Sequence, residues 1–514
     1  MKSTAKISPD TFSIPKEVAQ VTSTLKKHGY EAYIVGGCVR DLFIGRTPKD
    51  WDVTTNATPE QIVAIFPKTF YENDYGTVGV VNEETGAAAK DAGDGDEVTA
   101  APIDESLKVI EVTPYRVESG YSDKRRPDKV SFSKKIEDDL KRRDFTFNAV
   151  AYDVENGQIV DLFDGLKDLD KKIVRAVGEP TERFSEDALR ILRAVRIHAE
   201  LGFSIDPATQ AAMKEHAGLL KHIAKERVRE EFSRIIMSPH PKEAIELCQE
   251  LGILSFIIPE LPAAIDVKQN QAHSFDVWTH LLKTLEHSAK KGWPLHIRLA
   301  ALLHDISKPE TRRWSDEKKD WTFHGHDVVG ARVAEQVLKN LKYPNDLIDR
   351  VVKLVRWHMF FSDTEKITLS AVRRLVANVG PENVWDLMNV RICDRIGTGR
   401  PKESPYRLRK YHSMVDEAMR DPISVAMLKI NGAKIIEVAD EKPGPRIGYI
   451  LHALLEEVLE DPKLNEAEKL EKLAGEFAGL SDTELQKIGD AGKAKKKEEE
   501  DKAVGEIRKR HWVE

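Results

Sequence analysis

The stretch YIVGGCVRDLFIGRTPKDWDVTT, residues 33–55, decides how this chain is read. Tyr33-Ile34-Val35 has the composition of a short buried strand. Gly36-Gly37 follows, where missing side chains let backbone N–H groups approach a ligand. Arg40 then stands at the start of an expected helix. A glycine turn, a helix N-terminus and a guanidinium together suit an anion. Further on, Asp50 and Asp52 lie one residue apart in an apolar run. Alternate residues of a strand face the same way, so both carboxylates are expected to point at one spot, with Trp51 and Val53 turned away. Two close carboxylates repel unless a cation sits between them, and oxygen ligands suit Mg²⁺. An Asp-x-Asp pair alone is usually a solvated turn. A phosphate cradle beside it points instead to metal-assisted nucleotidyl transfer.

Outward from this stretch, the 514 residues allow three or four domains. Apolar residues make up 41%, ample for several cores, and no apolar run is long enough to span a membrane. The first residues hold no apolar signal-peptide core. Cys38, Cys248 and Cys393 are far apart and show no metal spacing, which fits a reduced, cytoplasmic setting. The net charge of −7 does not advertise nucleic-acid binding, but local patches decide that. One patch runs through Lys124, Arg125, Arg126, Lys129, Lys134, Lys135, Lys141, Arg142 and Arg143.

To about residue 150, β-branched runs alternate with helical ones, with strands expected at 32–35, 50–54, 77–82, 107–113 and 149–154. Residues 83–107, rich in Ala, Gly and Asp, read as a flexible insertion. From about 180 the pattern is helical almost everywhere, including helices expected at 185–200, 276–290, 295–306 and 326–340. The fold class is α+β.

Three further constellations carry chemistry. In DDLKRRDFTFNAVAYD, residues 138–153, Arg142 and Arg143 suit a triphosphate, because guanidinium forks match phosphate oxygens. Asn148 can bond a ribose or hold the loop. In ERFSEDALRILRAVRIHAEL, residues 182–201, Ala188, Ile191, Leu192, Val195 and Ala199 form one narrow helical face. Asp187, Arg190, Arg193 and Arg196 recur every three residues on the other side. Intrahelical pairing accounts for Asp187 with Arg190, but leaves Arg193 and Arg196 without helical acid partners. A side-chain template that reads a nucleotide base is the alternative. In the helical half, His280, His304, Asp305, His326, His358 and Asp394 form a metal-site pattern favouring a transition metal. His324 lies close enough to His326 to compete for the same role.

VGGCVRD, KDWDV, DLKRRDFTFNAVAYD and ERFSEDALRILRAVRI occur in the order seen in class II tRNA nucleotidyltransferases, which the chain resembles over roughly residues 30–200. These belong to the DNA polymerase beta-like nucleotidyltransferase superfamily. Residues 276–394 resemble the HD metal-dependent phosphohydrolase domain of some members. KPGPRIGYILHALLEEVLEDPKLN, residues 442–465, is similar to the C-terminal helical region of bacterial HD-containing members.

The resemblance implies a nucleotidyltransferase head over 1–165, a helical neck over 166–262, an HD body over 263–400 and a helical tail over 401–514. It implies addition of CCA to tRNA from CTP and ATP, without a membrane or an obligate protein partner. Asp50 and Asp52 would hold Mg²⁺, and Glu111 would be a third carboxylate. Gly36, Gly37, Arg40, Arg143 and Asn148 would bind the nucleotide. Asp187, Arg190, Arg193 and Arg196 would form the base-reading ladder. Addition of CC or A alone, or HD phosphohydrolysis with a tRNA-holding head, are the other outcomes. Poly(A) synthesis is disfavoured, because YGTVGVVNEETG, residues 75–86, stands where that branch carries a basic stretch.

Overall fold

A computed structural model describes residues 3–72, 76–82, 107–120, 129–271, 273–360 and 367–489. The expected insertion at 83–107 lies outside these residues, except Leu107. Lys124, Arg125, Arg126 and residues 490–514 lie outside them too. The chain divides into two compact units, one of residues 1–232 with 247–256, the other of 233–246 with 257–514.

The first unit is built on an eight-stranded mixed sheet. Its strands are β1 (Ser3–Lys6), β2 (Ala32–Val35), β3 (Asp52–Thr55), β4 (Thr69–Tyr71), β5 (Val78–Val81) and β6 (Val109–Pro114). A separate hairpin, β7 (Arg116–Ser119) with β8 (Lys129–Phe132), precedes β9 (Val150–Tyr152) and β10 (Gln158–Asp161). The order is β1-β10-β9-β2-β3-β6-β5-β4, and only β3 and β6 run parallel within it.

Period-two alternation decides which face is core. Ile34, Val53, Val78, Val80, Ile110 and Val112 pack with Val18, Val21 and Leu25 of helix Lys16–Lys27 and with Ile62 of helix Pro59–Ile65. Fully burying each such side chain stabilises by about 1.5–3 kcal/mol. Thr58 and Gln61 form a reciprocal capping box, and Pro59 occupies the first turn, so helix Pro59–Ile65 starts where its sequence dictates. Trp51 is buried on this side, as expected. The opposite face carries Asp52, Thr54, Glu111 and Thr113.

The strand expected over 50–54 begins only at Asp52. Asp52 is the first residue of β3 with a register partner, Glu111, so Asp50 is left in an exposed bend before the strand. The helix expected over 185–200 is two helices, Pro180–Glu186 and Leu189–Leu201. Asp187 breaks it: its backbone is extended, at φ −134° and ψ 102°, and its Oδ1 accepts the Leu189 N–H at 3.0 Å. A short acidic side chain thus starts the second helix. Beyond the break the expected inner face is present, with Ala188, Ile191, Leu192, Val195 and Ala199 all buried.

The described residues of the second unit are helical apart from a small hairpin, Arg313–Ser315 with Asp320–Thr322, that no strand pattern in the sequence marks. Helix Leu295–Leu303 is apolar nearly all round and is buried between its neighbours. No helix among the described residues is long and apolar enough to cross a membrane.

Candidate functional site

The glycine turn brings the first constellation together. Gly36 has φ 86°, a conformation natural to glycine, and launches helix Gly37–Phe43 directly from β2. A Cβ at Gly36 would lie 3.1 Å from an Arg143 guanidinium nitrogen and 3.5 Å from Asp52 Oδ2. The bare backbone is therefore what lets a guanidinium and a carboxylate share this corner. At Gly37 a Cβ would lie 3.7 Å from the Arg40 guanidinium.

Asp52 and Glu111 are register partners on adjacent parallel strands, so their side chains share one face. Desolvation raises the Asp52 pKa; Arg143 opposes this and Asp50 adds to it. Glu111 is pushed up to about 7, first by desolvation, then by Asp52, Glu72 and Asp50. Its side chain is exposed, yet its neighbours thin its hydration enough to matter. The three carboxylates therefore form one electrostatic group, although Asp50 is not on the strand. Such crowding of oxygen donors fits a hard divalent cation.

Two buried carboxylates, Asp139 and Asp144, hold the arginines. Asp139 is fully buried and accepts from Arg142 at 2.6 and 2.9 Å and from Arg143 at 3.1 and 3.3 Å. Burial opposes its charge, but the two guanidinium groups outweigh burial and hold its pKa below the usual range. Asp144 accepts from Arg193 at 2.6 and 2.8 Å, from the Asn148 amide at 3.0 Å and from the Phe145 N–H at 2.8 Å. Burial opposes its charge too, yet Arg193 and Asn148 keep it ionised well below the ordinary carboxyl range. Arg40 donates to Asn148 Oδ1 at 3.3 Å. A continuous chain of bonds thus runs Arg40–Asn148–Asp144–Arg193.

The ladder residues are dispersed by these bonds. Arg190 is buried and pairs with Glu186 at 2.7 Å, not with Asp187. It also donates to the backbone oxygens of Arg183 and Arg142, at 3.2 and 2.9 Å. Asp187 instead faces Arg227 at 3.3 Å. Arg193 and Arg196, expected to lack acid partners on their helix, find them elsewhere in the chain: Asp144 for the first and Glu231, at 2.9 Å, for the second. Arg193 is the most exposed of the three arginines, with 37% of its side chain open. The signal that could have found Asp139 and Asp144 was present: acids embedded in a basic segment ahead of an apolar strand.

In the helical unit, all six expected groups converge and are buried. Asp305 stands between two sets. Its Oδ2 lies 3.1 Å from His280 Nε2 and 3.2 Å from His304 Nε2. Its Oδ1 lies 3.2 Å from His326 Nε2 and 3.5 Å from His358 Nε2. Asp394 joins the first set, 3.5 Å from His280 and 3.8 Å from His304. Nδ1 of His304, His326 and His358 each lies within 2.9 Å of a backbone carbonyl, at Ala301, Phe323 and Val355. Those bonds put the proton on Nδ1 and turn the Nε2 lone pairs inward, which is the ligating tautomer. His326 is in the cluster, while His324 is exposed and outside it. Burial opposes the Asp305 charge, but His304 and Lys308 hold its pKa well below the usual range.

Lys308 and His273 were not singled out from sequence. Lys308 Nζ lies 2.6 Å from Asp305 Oδ2, three residues after it in the same HDISK run. Burial drives the His273 pKa down to about 3, helped by Lys308 and His280. A cavity of about 1250 Å³ opens onto the cluster, with Lys308, Arg391 and Arg395 in its wall. An imidazole and carboxylate centre below a cationic wall can hold a metal ion and a phosphoester together.

Three domain families match successive parts of the chain. Residues 32–175 match the family described as Poly A polymerase head domain, 202–265 the probable RNA and SrmB-binding site of polymerase A, and 272–398 the HD domain. The CCA-adding enzyme of Lactiplantibacillus plantarum is 31% identical over 458 residues, covering 88% of this chain and 93% of that protein. That of Geobacillus thermodenitrificans is 32% identical over 453 residues, covering 87% and 93%. The crystal structure of the Bacillus stearothermophilus CCA-adding enzyme in complex with CTP superposes with a TM-score of 0.65 at 28% identity, covering 90% of this chain and 96% of that one.

Proposed function

This chain belongs to the family of CCA-adding enzymes, and we propose that it builds the CCA 3′ end of tRNA from CTP and ATP. The observation that carries this reading is the corner where Gly36, Arg143 and Asp52 meet, with Glu111 beside it. In the proposed reaction the tRNA 3′-hydroxyl loses its proton to solvent as its oxygen bonds to the α-phosphorus, and the bond from that phosphorus to the oxygen bridging to the β-phosphate breaks, releasing pyrophosphate. Both domain families imply divalent metal ions; here Mg²⁺ would be held by Asp50 and Asp52, with Glu111 as the third carboxylate. When bound, it supplies positive charge to the attacking and leaving oxygens.

The chain's own residues position and neutralise. Gly36 and Gly37 leave the backbone open to the triphosphate, while Arg143 and Arg40 meet its charge. Asp139 holds Arg143, and Asp144 holds Asn148, to which Arg40 donates, before the nucleotide arrives. Asp187, Arg190, Arg193 and Arg196 would read the base, which requires Arg190 to exchange its bond with Glu186 for one with the nucleotide. Incubating the protein with tRNAs ending before C, CC or A, with CTP and ATP offered separately, tests the reading. Stepwise CCA completion supports it, whereas addition of C alone or A alone narrows the activity.

A second activity is favoured by the paired ligand sets around Asp305. We read the HD cavity as a metal-dependent phosphohydrolase site, with a transition metal held by His280, His304 and Asp394, by Asp305, His326 and His358, or by both. Its action is independent of the nucleotidyl transfer site. Three buried, free cysteines suit a cytoplasmic setting, which we adopt.

A further inference from the structure

A single row of residues crosses the sheet from the carboxylates to its edge. Asp52 pairs with Glu111, Glu111 with Gly79, and Gly79 with Phe70. Register partners point to the same face, so this row puts two carboxylates, a bare backbone and an aromatic ring side by side. The Phe70 ring folds back over Gly79: a Cβ there would come within 2.6 Å of Cζ and 2.8 Å of a neighbouring ring carbon. β4 is the edge strand, and Phe70 is 42% exposed and takes no part in the core beneath the sheet. A large exposed ring on an edge strand is a liability unless something uses it. Strands lie about 4.8 Å apart, which sets the ring roughly one strand from Glu111 and two from Asp52. That is a span one nucleotide covers.

The order β2-β3-β6-β5-β4 also separates two sides. Gly36 and Arg143 lie on the β2 side of Asp52, where the triphosphate is proposed to sit. Phe70 lies on the other side. We infer that Phe70 is a positioning residue for the acceptor: the 3′-terminal base of the tRNA stacks on its ring, over Gly79, so that the terminal hydroxyl faces the carboxylates. The inference rests on the nucleotidyl transfer reading. Stacking suits a growing end whose base changes at each addition, because every base has a π-face.

The test uses tRNA lacking CCA, with 2-aminopurine as its terminal base, and the full chain carrying Phe70→Leu, Phe70→Trp or Gly79→Ala. The last keeps the ring but pushes it off the sheet. Binding to the parent protein should quench the fluorophore, and Phe70→Leu and Gly79→Ala should lose that quenching. Both should also lose roughly tenfold in kcat/KM for tRNA, within the range that truncating a base-stacking aromatic gives. KM for CTP should stay within about twofold, and Phe70→Trp should behave as the parent. Unchanged quenching and tRNA kinetics in Phe70→Leu would overturn the inference, as would a rise in KM for CTP alone. The fluorescence needs only binding. A parent protein that binds tRNA without extending it would sink the transferase reading, while quenching would still judge the ring.

Discussion

Asp144→Asn keeps the size of a buried side chain and removes its charge. The carboxylate accepts two bonds from Arg193, one from Asn148 and one from the Phe145 N–H. The asparagine presents an amide N–H₂ to at least one of these donors and leaves Arg193 without its counter-charge. Removing one partner of a buried ion pair costs about 3–5 kcal/mol. Arg193 is 37% exposed and can rehydrate, so the lower figure of ~2–3 kcal/mol applies here. Urea unfolding at pH 7, followed through Trp51 in the same unit, should show that loss. The difference should also depend on pH in a defined direction. Asp144 has a depressed folded-state pKa, so its stabilisation is complete above the unfolded carboxyl value of ~3.9 and is lost as pH falls toward the depressed one. The gap between parent and variant should therefore be constant from neutrality to about pH 5 and narrow below pH ~4. Equal stability at pH 7, or a gap that widens on acidification, would refute the argument that this carboxylate is charged and holds Arg193.

Glu111→Gln should stabilise metal-free protein above pH 7 and leave it unchanged in acid, because a raised carboxyl pKa means stability is lost as pH rises through about 7; thermal melts in chelator read this. Asp187→Ala and Arg190→Ala should relax the choice among nucleoside triphosphates and lower the rate, as misincorporation assays would show. Arg190→Ala should additionally destabilise by about 1–3 kcal/mol, because Glu186 keeps only Arg183 and the Arg142 and Arg183 carbonyl oxygens each lose a donor. The double variant His304→Ala, Asp305→Ala should lose bound metal by elemental analysis and lose phosphohydrolase activity, while tRNA extension survives.

How far the chain could be read from sequence follows from where each property is determined. β2 falls at 32–35 as expected, because an apolar run ending in two glycines defines both its interior and its end. Asp50 was misplaced because strand length is set by neighbours: the ladder with β6 starts at Asp52, and nothing in KDWDV reveals that. Asp187 was placed inside a helix by its three-residue spacing. Spacing does not distinguish a helical residue from one whose side chain starts the next helix. Arg193 and Arg196 have no acid partner within their own helix; their acids lie 49 and 35 residues away, at Asp144 and Glu231, beyond the reach of helical spacing. The histidine cluster was legible because its residue types are rare on apolar helices. Its division into two sets about Asp305 needed coordinates. Phe70 left no trace in sequence, since its position in line with Asp52 depends on three strand pairings.

Nucleotide addition is proposed to depend on Asp52, beside Gly36, and on Asp50 just ahead of its strand. The most direct test is the rate of CMP incorporation into tRNA lacking CCA by Asp52→Asn and Asp50→Asn, with tRNA binding measured on the same preparations. Near-total loss of incorporation with binding largely retained is expected; incorporation at an appreciable fraction of the parent rate in either variant would overturn the two-carboxylate mechanism.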